Sequence, residues 1–405
     1  MIVNGNLVMK SKASALSINA DQHEIGSTFA PTSTIASALL GAALLLSGVE
    51  QVHAQTIPTE ASLNFKYLNY EEKQQGLKRI SAKSPSLQLI LPIAGEWLFD
   101  GSLTSDDVSG ASPRYHTAIS GASKMSDYRK ATDLSLTRYF DNTSLTLGSS
   151  YSSEHDYDSL AFSITAAFST PDKNRTWSVG VGSSNDTINP TNKIVRDERK
   201  KSKNILLGVS QVLTPRDLVQ ITFSHGRGEG YFSDPYKLLD QRPRQRNQSS
   251  VFARWNHYFP DSDATARLAY RYYRDSFAIK AHTFQVELEK ELANGWVITP
   301  SLRVYSQSAA AFYFDPVYDA QLGEPFPPGY QFGGKQLSSA DQRLSGFGAL
   351  TMGAKISKKL QDNWTVDFKF ERYEQRTQWR LFHAGSIGLL PLRASIIQVG
   401  LSKQW

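Results

Sequence analysis

A period of two in the hydrophobic pattern constrains this chain more than any other feature. It is clearest over residues 160–168, where one face of a strand would hold only apolar side chains. That face consists of Leu160, Phe162, Ile164, Ala166 and Phe168, and the other face of Ala161, Ser163, Thr165 and Ala167. Successive side chains of a strand point to opposite faces. Large apolar residues on one face with small or polar ones on the other are typical of a transmembrane β-barrel.

The pattern recurs from Leu63 to Trp405, in segments separated by alternately short and long connections. Short connections carry turn residues, for example Asp141-Asn142 and Ala293-Asn294-Gly295. The segments number sixteen, with fourteen strands as the open alternative. The sequence therefore predicts an all-β fold, a transmembrane antiparallel β-barrel that occupies residues 55–405 as one domain. Long outer loops are predicted near residues 105–131, 185–202, 226–248 and 307–342.

The first 54 residues have a different composition. Residues 35–49 are apolar and rich in small side chains, Lys10 and Lys12 precede them, and Val52-His53-Ala54 follows. A stretch of this length is too short to cross a membrane and typical of a signal peptide. We predict a signal peptide and N-terminal extension over residues 1–54, with Met9 as a possible start. A buried N-terminal helix is the alternative.

Composition excludes several classes of protein. The net charge of +6 is spread along the chain, whereas a nucleic-acid-binding protein concentrates its positive charge. The absence of cysteine excludes a disulfide-stapled secreted scaffold and a cysteine nucleophile. Beyond residues 35–49, no stretch approaches the ~18 apolar residues of a transmembrane helix. No cofactor is predicted.

Aromatic residues flank the predicted short turns, as the interfacial girdle of a barrel requires. They include Trp97, Phe140, Phe168, Trp177, Phe259, Trp296 and Trp364. The last strand ends in Trp405, which resembles the signal read by the outer-membrane assembly machinery. These features predict the bacterial outer membrane as the location, with its lipid, lipopolysaccharide and assembly machinery as partners.

Charged residues fall on the face opposite the apolar one, where they would line the lumen. An ionised side chain at the midplane of the lipid face would cost about 2–4 kcal/mol. Opposed charges in a water-filled pore would select the permeating solute, whereas charges that pair would brace or partly plug the barrel. Both roles stay open for Arg254, Arg267, Arg271, Glu287, Glu289, Arg303, Asp367, Lys369 and Glu371.

The predicted outer loops carry two weaker candidate sites. Arg114, His116 and Lys124 form a potential anion-binding set in a loop rich in Gly and Ser. Glu154, Asp156 and Asp158 offer several carboxylates to a divalent metal ion, although no EF-hand spacing is present. Solvated loops are the alternative for both. The basic run 196–201 could contact lipopolysaccharide phosphates.

Catalysis has little support in the sequence. His225 would lie at the outer rim near Asp234, and His155 adjoins Asp156, so either could serve a rim hydrolase. No nucleophile motif such as Gly-x-Ser-x-Gly accompanies them. The chain is predicted not to be an enzyme.

Several sequence segments resemble those of the bacterial DUF3570 family. They include Phe65-Lys66-Tyr67, residues 91–97, residues 108–116, residues 118–126, residues 153–157 and residues 233–237. The resemblance covers essentially the whole predicted mature chain and implies an exported, barrel-like protein with no established activity. Members of the family often lie beside genes for a small lipoprotein and a flavin-transfer enzyme, which implies an envelope redox setting.

The sequence thus predicts a channel for small polar or anionic solutes, or a scaffold for an envelope partner. The alternatives are a barrel hydrolase with a rim active site, a barrel that anchors a redox or flavinylated partner complex, and a soluble secreted β-protein. The predicted partner would be a small envelope lipoprotein.

Overall fold

The computed structural model describes residues 58–74, 76–113, 122–237, 239–316, 326–327, 329–331 and 334–405. Almost all the regular structure is β-strand, with four single-turn 3₁₀ helices at Ala293–Gly295, Gln342–Leu344, Gln361–Asn363 and Thr377–Trp379. The strands are β1 Ser62–Gln74, β2 Leu77–Ile93, β3 Trp97–Pro113, β4 Ala122–Tyr139, β5 Thr143–Ser153, β6 Tyr157–Ser169, β7 Arg175–Ile188, β8 Glu198–Thr214, β9 Asp217–Gly230, β10 Gln245–Phe259, β11 Ala264–Asp275, β12 Lys280–Leu292, β13 Trp296–Gln307, β14 Phe347–Lys359, β15 Trp364–Arg376 and β16 Leu392–Gln404.

These strands form one closed barrel in which each strand pairs antiparallel with its neighbours in sequence. Closure is made by β1 and β16, which pair over their whole length from Ser62 opposite Gln404 to Gln74 opposite Leu392. The amides of Ala61 and Trp405 extend this pairing, each donating to the carbonyl of the other at 3.0 and 3.1 Å. The prediction of sixteen antiparallel strands is confirmed, and the alternative of fourteen is excluded.

None of the helices among the described residues has the length and apolarity needed to cross a lipid bilayer.

The two ends of the barrel differ in their connections. At one end, which we call the turn side, hairpins close with turns that use left-handed backbone at residues suited to it. Asn294 has φ 61° and Asp362 has φ 55°, and Asn and Asp tolerate this conformation better than most side chains. The opposite end, the loop side, carries the long connections.

Strands β3, β4 and β7 to β10 extend further toward the loop side than predicted, whereas β14 begins later than predicted, at Phe347. The loop predicted over residues 105–131 is wrong at both ends, because β3 continues to Pro113 and β4 begins at Ala122. Residues 114–121 lie outside the described residues. The loops at 185–202, 226–248 and 307–342 become connections 189–197, 231–244 and 308–346. Polar residues occupy both faces of these strand ends, so the hydrophobic alternation stops while the hydrogen-bonded ladder continues. The sequence pattern had located the apolar band rather than the strand ends.

The two faces of each strand differ sharply in exposure. On β6, Leu160, Phe162 and Ile164 are 43%, 55% and 49% exposed, whereas Ala161 between them is 0% exposed. The apolar side chains of each strand therefore lie on the outer face of the barrel, and the polar side chains lie on the inner face. Two stacked sheets would bury these apolar side chains, so the fold is a closed barrel and not a β-sandwich.

The predicted signal peptide lies outside the described residues and stays a prediction.

Candidate functional site

The candidate site is the inner wall of the barrel. Every charged residue that the sequence assigned to the lumen lies on the inner face. The register shows this on β11 and β12, where Arg267 lies opposite Glu287 while the outer-face residues Leu268 and Leu288 alternate with them. Whether these side chains line an open pore stays a prediction.

The charged residues of β11, β12 and β13 form a continuous polar ladder. Arg267 pairs with Glu289 at 3.0 Å and lies 3.8 Å from Glu287. Gln285 Nε2 donates to Glu287 Oε1 at 2.7 Å, and Arg303 Nε donates to Gln285 Oε1 at 3.0 Å. This ladder braces three neighbouring strands, which supports the bracing role that the sequence left open.

Two further arginines extend this basic wall onto β10 and β11. The guanidinium of Arg254 lies 5.4 Å from the ring centroid of Phe252. Arg271 lies directly across the ladder from Phe252. Together with Arg267 and Arg303, these residues give the wall from β10 to β13 its excess of positive charge.

A second charged group lies on β15, where the backbone of neighbouring strands makes room for it. Lys369 Nζ lies 3.4 Å from Glu371 Oε1. The carboxylate of Asp367 packs directly against Gly400, and Glu371 lies against Gly353, at positions where a Cβ atom would collide with them. Glycine at these two positions lets the acidic side chains lie flat along the wall.

An acidic sector on β3 and β4 was missed by the sequence analysis. Asp100 accepts from Gln88 Nε2 at 3.1 and 3.2 Å, and Asp133 accepts from Ser150 Oγ at 2.5 Å. In the described part of the chain, neither carboxylate has an ion-pair partner. Asp100 follows the outer-face residue Phe99, and Asp133 precedes the outer-face residue Leu134. The alternation of side chains along a strand therefore predicts both carboxylates on the inner face.

The acidic and basic sectors lie on opposite sides of the barrel. In the closed order of strands, β3 and β4 are eight places from β11 and β12. Asp100 and Arg267 each lie three residues past the turn-side start of their strand, at Trp97 and Ala264. The sectors therefore face each other at comparable depth. The inner faces of β5 to β9 between these sectors hold mainly Gly, Ser, Thr and Ala at this level.

Connections 231–244 and 308–346 fold against the inner face at the loop side, and we call their described residues the outer closure. Gln307 Nε2, on the inner face of β13, donates to the carbonyls of Arg343 and Ser345 at 2.9 and 2.7 Å. Phe232 lies 6.0 Å from Lys200 Nζ on the inner face of β8. The closure thus spans the inner rim from β8 to β13.

A buried group of charges, which we call the charge latch, joins the two connections. Arg242 pairs with Asp240 at 2.8 Å and with Asp341 at 2.7 Å, and Arg343 pairs with Asp341 and, at 2.8 Å, with Asp234. The carboxylates of Asp234, Asp240 and Asp341 are 0% exposed. Because one carboxylate serves both arginines, Asp341 holds the latch together.

The ionisation of Asp341 reflects this arrangement. Burial alone would raise the pKa of this carboxyl, but Arg343, Lys237 and Arg242 outweigh it, and the pKa lies well below its usual value. A buried apolar cluster lies next to the latch in the sequence of connection 308–346. It includes Phe277, Ala310 and Leu344, and Leu344 directly follows Arg343.

The sequence-predicted metal residues are only partly brought together. Glu154 and Asp156 lie close to Asp127 of β4, and ligand oxygens of the three lie within 4.8 Å of one another. Asp158 does not join them, because it is on the outer face of β6, where Tyr151 donates to it at 3.4 Å. Burial, followed by repulsion from Asp127, raises the pKa of Glu154 to about 8.

The other sequence candidates are placed as follows. Arg114 and His116 lie outside the described residues, and Lys124 lies in strand β4 instead of a loop, so the anion-binding set stays a prediction. Trp405 ends the last strand at the turn side, and its role as an assembly signal is likewise untested.

The rim hydrolase loses its geometric basis for His225. Its Nδ1 lies 2.9 Å from Ser249 Oγ, but both residues are on the outer face of the barrel. Asp234, the acid expected nearby, is held by Arg343 inside the latch. No third group therefore completes a triad with this pair among the described residues.

The fold is a closed barrel of sixteen antiparallel strands. It has an apolar exterior and a charged inner wall, which define a barrel of the porin-like class. The family model described as "Protein of unknown function (DUF3570)" matches residues 35–125, 116–197 and 191–400. The chain belongs to this family, as the resemblance predicted. No curated protein sequence matches it.

Among solved structures, the chain is similar in shape to several barrels. CdiB from Acinetobacter baumannii is 9% identical, with a TM-score of 0.48 over 84% of this chain and 60% of that one. A bacterial polysaccharide outer membrane secretin is 8% identical, with a TM-score of 0.49 over 85% and 98%. The CymD monoaromatic hydrocarbon channel is 10% identical, with a TM-score of 0.43 over 94% and 95%.

Proposed function

We propose that this protein is an outer-membrane channel for small polar solutes, anions among them. The observation that carries the proposal is the separation of charge across the inner wall. Acidic β3 and β4 face basic β10 to β13, and mainly small side chains line β5 to β9 between them. A transverse field of this kind orients a dipolar or charged solute as it passes and repels apolar ones.

The outer face supports a membrane location. Its apolar residues form a continuous belt, and Trp177, Trp296 and Trp364 lie at the turn-side edge of that belt, where a headgroup layer would be. At the loop side of β8, the outer-face residues Arg199, Lys201 and Lys203 follow directly beyond Ile205. Cations at that level suit the phosphates of lipopolysaccharide, the proposed lipid partner.

The outer closure gives the channel a restricted mouth. Its two connections cross the inner rim from β8 to β13 and are fixed there by the charge latch. We infer that solutes enter beside the closure, and that its opening sets the size of solute admitted.

Ion selectivity in planar bilayers tests the proposal. The purified barrel should form channels whose reversal potential in a salt gradient depends on the inner wall. Arg271→Glu replaces a positive charge of the basic wall by a negative one, so we expect the reversal potential to shift toward cation selectivity. Asp100→Asn with Asp133→Asn removes two negative charges, and we expect a shift toward anions.

Arg274→Glu is the matched control, because it makes the same change three residues away on the outer face of the same strand. It should leave the reversal potential unchanged. Equal shifts of the reversal potential for Arg271→Glu and Arg274→Glu would contradict the proposal. So would an absence of conductance in Asp341→Asn, which is expected to release the outer closure.

Scaffolding of an envelope complex, a small lipoprotein partner and a redox setting remain predictions from the sequence and the family.

A further inference from the structure

A cluster of carboxylates lies at the loop-side end of β4, closer to the loop side than Asp133 of the acidic sector. Asp127 comes from the inner face of β4, and Glu154 and Asp156 from the connection between β5 and β6. One oxygen of each lies within 4.8 Å of the others. Three carboxylates at this separation would repel one another strongly if all were ionised.

The described residues around the cluster do little to offset this repulsion. Asp127 Oδ1 accepts one bond, from the amide of Tyr128 at 2.8 Å. The carboxylate of Glu154 accepts no hydrogen bond from any described residue. Arg129 acts on Glu154 electrostatically, but its Nε is engaged by Asp106 Oδ2 at 2.6 Å.

Asp156 supplies an independent sign that a ligand belongs here. Its side chain is buried, with 8% exposed. Tyr236 donates to Oδ2 at 2.6 Å, whereas the other oxygen, Oδ1, is inaccessible to solvent and has no hydrogen-bond partner among the described residues. Buried carboxylate oxygens are normally satisfied by a donor or by a cation, because an unpaired one is costly.

We propose that Asp127, Glu154 and Asp156 bind a divalent cation of the Ca²⁺ type. Oxygen ligands in an irregular arrangement suit Ca²⁺, which accepts six to eight of them and tolerates varied geometry. Mg²⁺ demands a near-ideal octahedron, and softer metals prefer nitrogen or sulfur.

The bound cation would tie together several outer connections. Tyr236, which holds Asp156, also accepts from the amide of Thr191 at 3.0 Å. The site therefore connects β4 and the β5–β6 connection with connections 189–197 and 231–244, one half of the outer closure. The proposal concerns binding and does not depend on the passage of solutes.

Calorimetric titration of the full-length, detergent-solubilised barrel with CaCl₂ is the test. We expect one saturable site with a Kd of about 10⁻⁴–10⁻³ M, the range of extracellular Ca²⁺ modules. Tb³⁺ should bind in competition with Ca²⁺ and show luminescence sensitised by Tyr236. Asp127→Asn and Asp156→Asn should abolish saturable binding, and Tyr236→Phe should weaken it about 10- to 100-fold, as loss of an orienting partner does.

Asp158→Asn is the matched control, because it removes a carboxylate from the same segment but from the outer face. It should bind Ca²⁺ as the wild type does. Heat-modifiable migration on gels shows that each variant is a folded barrel, and Asp127→Asn carries the test if Asp156→Asn does not fold. Absence of saturable binding in the wild type, or an equal loss in Asp158→Asn, would overturn the proposal.

Discussion

Replacement of Asp341 by Asn is expected to release the outer closure and leave the barrel intact. The change removes the one carboxylate that serves both Arg242 and Arg343, and leaves two buried guanidinium groups short of negative charge. Breaking a buried ion pair by removing one partner costs about 3–5 kcal/mol. The cost falls on contacts within connections 231–244 and 308–346, because the strand ladders do not depend on the latch.

Two measurements check this expectation. Amide hydrogen exchange should accelerate in the outer closure and stay slow in the strands, and single-channel conductance should rise. Glu229→Gln is the control, since it breaks the exposed Arg227–Glu229 pair, whose side chains are 59% and 55% exposed. An exposed pair contributes about 0–1 kcal/mol, so this variant should behave as the wild type. Unchanged exchange in Asp341→Asn would show that the latch does not hold the closure.

Acid should act on the same latch. The pKa of Asp341 in the fold lies below its value of about 3.9 in an unfolded chain. A lowered pKa contributes stability that is fully present above the unfolded value and is lost as the pH falls through the folded one. Exchange in the closure of the wild type should therefore rise only below about pH 4, and Asp341→Asn should lack this transition.

The second large effect is expected from a charge on the outer face of β6. Ile164 lies at the middle of the apolar stripe from Leu160 to Phe168, and its side chain is 49% exposed on the barrel exterior. If lipid surrounds this face, Ile164→Arg should destabilise the barrel by about 2–4 kcal/mol, the cost of arginine at the bilayer midplane.

Thr165→Arg places the same side chain one residue further on, on the inner face. Its cross-strand neighbours there are Thr146 and Gly180, which leave room for it. We expect a loss below about 1 kcal/mol, because the long side chain can carry its charge into the polar lumen. Reversible denaturant unfolding in lipid vesicles measures both, and equal effects would contradict a lipid-facing exterior.

Much of the wall could be predicted because strand geometry is local. The alternation at residues 160–168 predicts which face of β6 is apolar. The same alternation predicts that Arg267 and Glu289 lie on the inner face. The same alternation places Asp100 on the inner face, because its neighbour Phe99 is on the outer face. The sequence alone therefore contained enough information to predict this lumen carboxylate. Strand ends were placed too early because polar residues beyond the apolar band carry no period.

The amino-acid sequence by itself determined the class of fold and which face of the apolar segments points outward, since both follow from a period of two. The structure then settled the strand count at sixteen instead of fourteen. The tertiary structure alone decided which of these side chains meet. Asp341 and Arg242 are 99 residues apart in sequence, and Asp127 replaces Asp158 beside Glu154 and Asp156. Such contacts depend on barrel register and on the path of long connections, which arise only when distant segments pack.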